Sequence, residues 1–185
     1  CVYSDLQRTG WIRTSDPLLN QLYQNIVWGE KDNLLDVPTD CPQRDERMGW
    51  TGDAQGFSET ALFNDDCAAF YSKYLENMRQ EQLRYGGSCP FVVPDCFYAR
   101  EELYDGAKPV ENNDFMLGRT SAGWGDASVI IPRNLYKFTG DKEELKKNYP
   151  NMKLWTEFLL LSDENRGGKR IREYGFQFGD WLALD

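Results

Sequence analysis

The sequence predicts a mostly α-helical chain: helix pairs joined by turns, with long loops gathered at one end. Three observations carry this. Apolar residues recur at helical spacing in five segments, near 17–31, 53–63, 66–84, 125–139 and 141–161. Turn and capping residues stand at the segment starts. A short motif, Gly49-Trp50-Thr51-Gly52-Asp53-Ala54, returns as Gly123-Trp124-Gly125-Asp126-Ala127, each time just ahead of a helix. Equivalent helix starts in stacked αα-hairpins fall on one rim, so Trp50, Asp53, Trp124 and Asp126 are expected around a shared mouth.

The elements follow in order. Residues 3–13 read as an extended entry or one or two short strands. Ser15-Asp16-Pro17 marks a helix start, an N-cap followed by proline in the first turn. That helix carries Leu18, Leu22, Ile26 and Trp28 at near-helical spacing. Residues 33–52 form a long loop punctuated by Pro38, Pro42, Gly49 and Gly52. Asp53 is placed as the cap of a helix with Ala54, Phe57 and Ala61 on one face. Asn64-Asp65-Asp66 breaks and recaps the chain, and Cys67, Tyr71, Tyr74, Leu75 and Met78 trace the inner stripe of the next helix. Residues 85–117 are a long irregular excursion, of a length that usually serves a site. Ala127, Ile130, Ile131, Leu135 and Phe138 face inward on the fourth helix, with a kink expected at Pro132. Thr139-Gly140-Asp141 turns into a fifth helix bearing Tyr149, Met152, Trp155, Phe158 and Leu159. Residues 167–185 suggest a β-hairpin and an exposed aromatic loop. The chain opens at Cys1 and stops at Trp181-Leu-Ala-Leu-Asp185 without a polar tail, and reads as one part of a longer protein.

Composition narrows the chemistry. Of 185 residues, 41% are hydrophobic and 28% charged, which suits a chain that buries a core. A net charge of −9 with no basic run argues against nucleic acid and anionic membrane surfaces as partners, and no apolar stretch approaches a membrane span. The five cysteines follow no zinc-binding spacing, so no metal and no cofactor is expected, and buried free thiols are their default state. Cys89 and Cys96 flank a proline-containing loop and are the one pair placed to bridge in an oxidising compartment. With no histidine in the chain, carboxylates must carry any acid–base work.

The densest chemistry lies in Asp40-Cys-Pro-Gln-Arg44-Asp-Glu46-Arg-Met-Gly-Trp50-Thr-Gly-Asp53-Ala. Carboxylates beside a flat aromatic face are how proteins hold sugars, and paired carboxylates are how they cleave them. Each residue also has a plainer reading. Glu46 could be a salt-bridged loop residue between Arg44 and Arg47, Asp40 a turn former, and Asp53 and Asp126 helix caps. Trp11, Trp28 and Trp155 fit core packing, whereas Trp50, Trp124 and Trp181 stand in Gly/Asp-flanked loops where an exposed ring is harder to justify. The run Glu111-Asn112-Asn113-Asp114 reads as solvated loop.

This long motif, with Gly-Trp124-Gly-Asp126-Ala and Phe178-Gly-Asp180-Trp181-Leu, resembles the signature of bacterial family 78 α-L-rhamnosidases. The resemblance implies an all-α fold in which αα-hairpins form roughly half of an (α/α)6 toroid, residues 1–185 being its N-terminal part. It implies inverting hydrolysis of terminal α-L-rhamnose, with a rhamnose-containing glycoside or polysaccharide as partner. Glu46 becomes the general acid. Asp40, Arg44, Trp50, Asp53, Trp124, Asp126, Asp180 and Trp181 become the substrate-binding set, the tryptophans as pocket walls. The general base of such an enzyme is a later glutamate, expected beyond Asp185. The alternatives are another carbohydrate-active toroid of this kind or a non-catalytic sugar-binding scaffold. Compartment, oligomeric state, aglycone and linkage are not encoded in any motif found.

Overall fold

The computed structural model describes residues 2–97, 120–172 and 175–179. The described residues hold five helices: α1 (Pro17–Asn33), α2 (Thr51–Asn64), α3 (Ala68–Arg84), α4 (Ala127–Thr139) and α5 (Lys142–Glu164). No sheet forms among the described residues. Isolated bridges pair Arg8 with Asp65, Leu34 with Pro38 and Trp50 with Val92. None of the described helices is long and apolar enough to cross a membrane.

Local chemistry sets most of the starts. Asp16 caps α1 by accepting from the Leu18 amide at 2.8 Å, with Pro17 in the first position. Asp141 caps α5 through the amides of Glu143 and Glu144. The start of α2 differs from expectation. Trp50, not Asp53, occupies the N-cap position, and Asp53 lies one turn inside, where its carboxylate faces the positive end of the helix. The preceding Gly49 is strapped down by Val93 and Tyr74, so the chain is already turned into helix by Thr51.

α2 packs along α4, α4 along α5, and α3 against both α4 and α5. The stripe expected on α3 is fully realised: Cys67, Tyr71, Tyr74, Leu75 and Met78 have no exposed surface. Ala127, Ile131 and Leu135 bury the inner face of α4, while Phe138 is exposed. On α5 Trp155 is buried and Tyr149 is exposed. Helix α1 is where the pattern misleads. Its buried positions are Tyr23, Val27 and Glu30, whereas Leu18, Leu22, Ile26 and Trp28 are exposed. Trp11 is exposed as well, so of the three tryptophans expected in the core only Trp155 is there. The physical reason is plain: among the described residues no element covers the outer face of α1.

Two further expectations change. Of the expected hairpin and aromatic loop at 167–185, residues 167–172 and 175–179 hold no strand, with Gly167, Gly168, Gly175 and Gly179 at positive φ, and the rest lies outside the described residues. Cys89 is buried and Cys96 exposed, and no disulfide joins them.

A buried polar chain ties the entry segment to the helices. Arg8 Nη2 donates to the Tyr23 hydroxyl at 2.7 Å, which lies 3.1 Å from Asn64 Oδ1. Asn64 Nδ2 donates to Glu30 Oε2 at 2.7 Å. Glu30 Oε1 has no partner among the described residues. Burial pushes the Glu30 carboxyl from 4.5 up to about 7, partly offset by the Asn64 bond, with Asp65 raising it and Arg8 lowering it. The folded chain therefore holds a proton that the unfolded chain releases near pH 4.5. Its contribution is complete below that pH and is lost as pH rises toward 7, a fall of roughly 3 kcal/mol. Glu30→Gln keeps an acceptor for Asn64 and cannot ionise. Unfolding midpoints measured for both proteins from pH 4.5 to 8 should converge at low pH, with the variant more stable at high pH; parallel curves would contradict this.

Candidate active site

The motif loop is anchored from below. Gly49 O accepts from the Val93 amide at 2.9 Å and from the Tyr74 hydroxyl at 3.0 Å, and the Thr51 amide donates to Phe91 O at 2.8 Å. A Cβ on Gly49 would stand 2.3 Å from Val93 O, so glycine is what permits this approach. Residues 49–51 are thereby fixed to 90–93, and Glu46 hangs from a loop whose far end is held in the core.

At the loop's centre Asp40, Cys41 and Glu46 converge, one polar atom of each lying within 4.8 Å of the others. Glu46 Oε1 accepts from the Met48 amide at 2.6 Å. Cys41 Sγ donates to Asp40 Oδ2 at 3.0 Å. The Glu46 and Asp40 carboxyls lie close together, with Asp40 Oδ1 and Glu46 Oε2 both buried and without a partner among the described residues. Burial, foremost, and then the neighbouring Asp40 carboxyl raise the Glu46 carboxyl above its ordinary value, against the Met48 amide and a Trp50 contact. Neither neighbouring arginine pairs with it. Arg47 is turned to the carbonyls of Pro42 and Cys41, and Arg44 is exposed. The salt-bridged-loop reading of Glu46 therefore has no ion pair to rest on. The Cys41 thiol is raised by its bond to Asp40, so the cluster presents a protonated thiol as donor.

Asp53 projects from the first turn of α2. Its residue surface is exposed, yet the protein crowding its carboxyl, and then the charge of Asp40, push its pKa upward. Asp40 and Asp53 both line a cavity of about 370 Å³ between α1 and α2, whose other polar walls include Glu30, Asn33 and Tyr71. Glu46, Trp50 and Trp124 do not line it.

The two tryptophans of the repeated motif share neighbours. A Cβ on Gly52 would fall 2.8 Å from the Trp124 indole, so that ring lies flat across the glycine. Phe178 joins them, with ring centroids 5.9 Å from Trp50 and 4.3 Å from Trp124. Phe91, Phe97 and Phe176 extend the aromatic group. Sequence reasoning missed these phenylalanines; the signal was Phe178, immediately before the third Gly-Asp-Trp element.

Asp126 behaves differently from Asp53. Its Oδ1 accepts from Trp155 Nε1 at 2.9 Å and its Oδ2 from the Gly123 amide at 3.1 Å, so both oxygens are engaged within the protein. It stands at the N-cap position of α4 without bonding the helix amides. The motif copies are thus out of phase: the last four residues of the first, 51–54, lie inside a helix, whereas 123–126 of the second form a turn and only Ala127 is helical. Asp180 and Trp181 lie outside the described residues, as does the Glu111–Asp114 run.

Comparison with known proteins bears on the family and the fold. A model of the bacterial alpha-L-rhamnosidase 6 hairpin glycosidase domain matches residues 7–185. An alpha-L-rhamnosidase of Formosa agariphila is 41% identical over 180 residues, which is 97% of this chain and 17% of that protein. The crystal structure of Streptomyces avermitilis alpha-L-rhamnosidase complexed with L-rhamnose superposes with a TM-score of 0.77 at 34% identity, covering 99% of this chain and 16% of that one. The native Aspergillus terreus enzyme gives a TM-score of 0.73 at 34% identity, over 97% of this chain and 18% of that one. The chain thus spans about a sixth of the length of the proteins it resembles, and its five described helices are part of an (α/α)6 toroid. With the motif, the fold and these likenesses in agreement, the chain belongs to the bacterial alpha-L-rhamnosidase six-hairpin glycosidase domain family.

Proposed function

We propose that the protein hydrolyses terminal α-L-rhamnose from rhamnosides with inversion, and that this chain supplies the general acid. The observation that carries the reading is Glu46. One oxygen of its carboxyl lies within 4.8 Å of one of Asp40, and burial and Asp40 raise the group above its ordinary value. A carboxyl pushed above its ordinary value is shifted in the direction that protonation of a leaving glycosidic oxygen requires.

Asp40 and Asp53 accept hydrogen bonds from rhamnose hydroxyls, Asp40 Oδ1 being buried without a protein donor. Arg44, exposed at the loop tip, reaches the sugar or the aglycone. Trp50 and Trp124 offer apolar wall to the sugar's C5 methyl, where each buried CH₃-sized group contributes on the order of 0.8 kcal/mol. Trp181 and Asp180 are assigned to the binding set on the motif alone. Asp126 acts through Trp155 and the Gly123 turn that carries Trp124. The base that activates water stands across the ring, roughly 6.5–9.5 Å from the acid. It is contributed by a part of the toroid beyond residues 1–185. The exposed stripe of Leu18, Leu22 and Trp28 supports further ring elements packing there.

The test is stereochemical. When the full-length protein cleaves an α-L-rhamnoside, proton NMR should show β-L-rhamnose first, equilibrating later. First appearance of the α anomer would mean retention, and would recast a carboxylate of this loop as a nucleophile. No release of rhamnose would remove the function.

A further inference from the structure

Cys41 adjoins the carboxyl pair and is not a member of the acid or sugar-binding set. It is half-buried, and its thiol donates to Asp40 Oδ2 at 3.0 Å. Its carbonyl is held in turn by Arg47 Nη1 at 3.3 Å, while Arg47 Nη2 holds Pro42 O at 2.9 Å. The main chain at Cys41 is therefore clamped, and the thiol's direction with it.

Four carboxyl oxygens meet here. Glu46 Oε1 is taken by the Met48 amide and Asp40 Oδ2 by the thiol. Asp40 Oδ1 and Glu46 Oε2 are left buried without a donor. One proton held between the two carboxyls satisfies both of these oxygens, neither of which has a donor among the described residues. Geometry alone does not say which of them carries it, yet only a proton on Glu46 serves an acid. We propose that Cys41 is a positioning residue which assigns that shared proton: by occupying Asp40 Oδ2 with the thiol hydrogen it holds Asp40 as acceptor and leaves the proton on Glu46. The proposal rests on Glu46 being the general acid.

The bond to Asp40 raises the thiol above its ordinary value, with burial, Asp40's charge and Glu46's charge adding to the shift and Arg44 opposing it. The thiol therefore remains protonated and able to donate through the range in which the pair works. The charged groups facing the pair are Arg44 at the loop tip and Asp53 from α2, which feels Asp40 directly. Both remain in place when the thiol is removed.

Without the thiol, the pair's proton distributes over both carboxyls, and the productive form, Glu46 protonated beside Asp40 ionised, becomes a smaller fraction of the enzyme. The acid limb of the kcat/KM profile then moves toward neutral pH, and the plateau falls. A hydroxyl in place of the thiol restores the donor. The experiment measures pH profiles of kcat/KM for full-length wild type, Cys41→Ala and Cys41→Ser, on a natural rhamnoside and on an activated aryl rhamnoside. Cys41→Ala should lose about threefold to tenfold on the natural rhamnoside. It should lose less on the aryl one, with the acid limb displaced upward, and Cys41→Ser should recover most of the rate and the limb. An unmoved limb with equal losses on both substrates would overturn the proposal, as would a folded Cys41→Ser that behaves like Cys41→Ala. Glu46→Gln measured alongside separates the two readings: a leaving-group-dependent loss there, with an unmoved limb in Cys41→Ala, retires Cys41 alone, whereas a leaving-group-independent loss in Glu46→Gln retires both.

Discussion

Glu46→Gln is expected to lower kcat/KM for a natural rhamnose disaccharide by roughly 10²–10⁴-fold. The amide has nearly the shape of the acid and keeps an oxygen for the Met48 amide, whose bond fixes the side chain at 2.6 Å. What it lacks is a transferable proton. A sugar alkoxide is a poor leaving group, so without protonation the glycosidic bond must break against the full charge developing on oxygen. The pH profile should change as well. In the wild type, activity falls on the alkaline side as pH rises through the raised Glu46 value, because the acid is then ionised. Glu46→Gln should lack that limb. Asp53→Asn is the control: a contact to a sugar hydroxyl is indifferent to the leaving group, so that variant should weaken natural and activated substrates alike.

Trp155→Ala should destabilise the helical framework by about 3–5 kcal/mol. The ring is 2% exposed, stacks on Phe158 with centroids 5.7 Å apart and presses on Gly125, where a Cβ would fall 2.4 Å from it. Its indole nitrogen also holds Asp126 Oδ1 at 2.9 Å. Removing the ring leaves a cavity and an uncompensated carboxylate oxygen together, and the two costs are not additive. Trp155→Phe keeps most of the volume and loses the bond, so its cost should be nearer 1–3 kcal/mol, on the order of a buried hydrogen bond to a charged group. Denaturant midpoints of the domain's unfolding transition check both. If Trp155→Ala changed them by less than Trp155→Phe, the ring would not be the support of the Gly123–Asp126 turn.

The contrast between Asp53 and Asp126 shows what a sequence can and cannot carry. Both follow Trp and Gly and precede Ala, and both were legible as helix starts near a rim. Trp50 and Trp124 do share neighbours, linked through Gly52 and Phe178. The repeat did not reveal that one copy is helix and the other turn, because the phase is set at a distance. Gly49 is pinned by Val93 and Tyr74, and Asp126 is drawn down by a tryptophan 29 positions later. Helix α3 was readable residue by residue because it is enclosed, so its period and its burial coincide. Helix α1 was readable as a helix but not in its orientation: it carries apolar residues on more than one side, and the side that is buried here is Tyr23, Val27 and Glu30. The convergence of Glu46 and Asp40 was visible only as a dense motif. That Arg44 and Arg47 turn away from Glu46 depends on the loop's folding back on its own carbonyls, which no spacing rule reports.

The most direct measurement is the ratio of two losses caused by Glu46→Gln in the full-length protein: the fall in kcat/KM on a natural rhamnoside against the fall on an activated aryl α-L-rhamnoside. An aryl group with a stable anion departs with little protonation. Its loss should therefore be smaller by roughly tenfold or more if the missing proton is the cause. Equal losses on the two substrates, with the variant folded, would contradict the assignment of Glu46 as general acid and pass that role to Asp40 or Asp53.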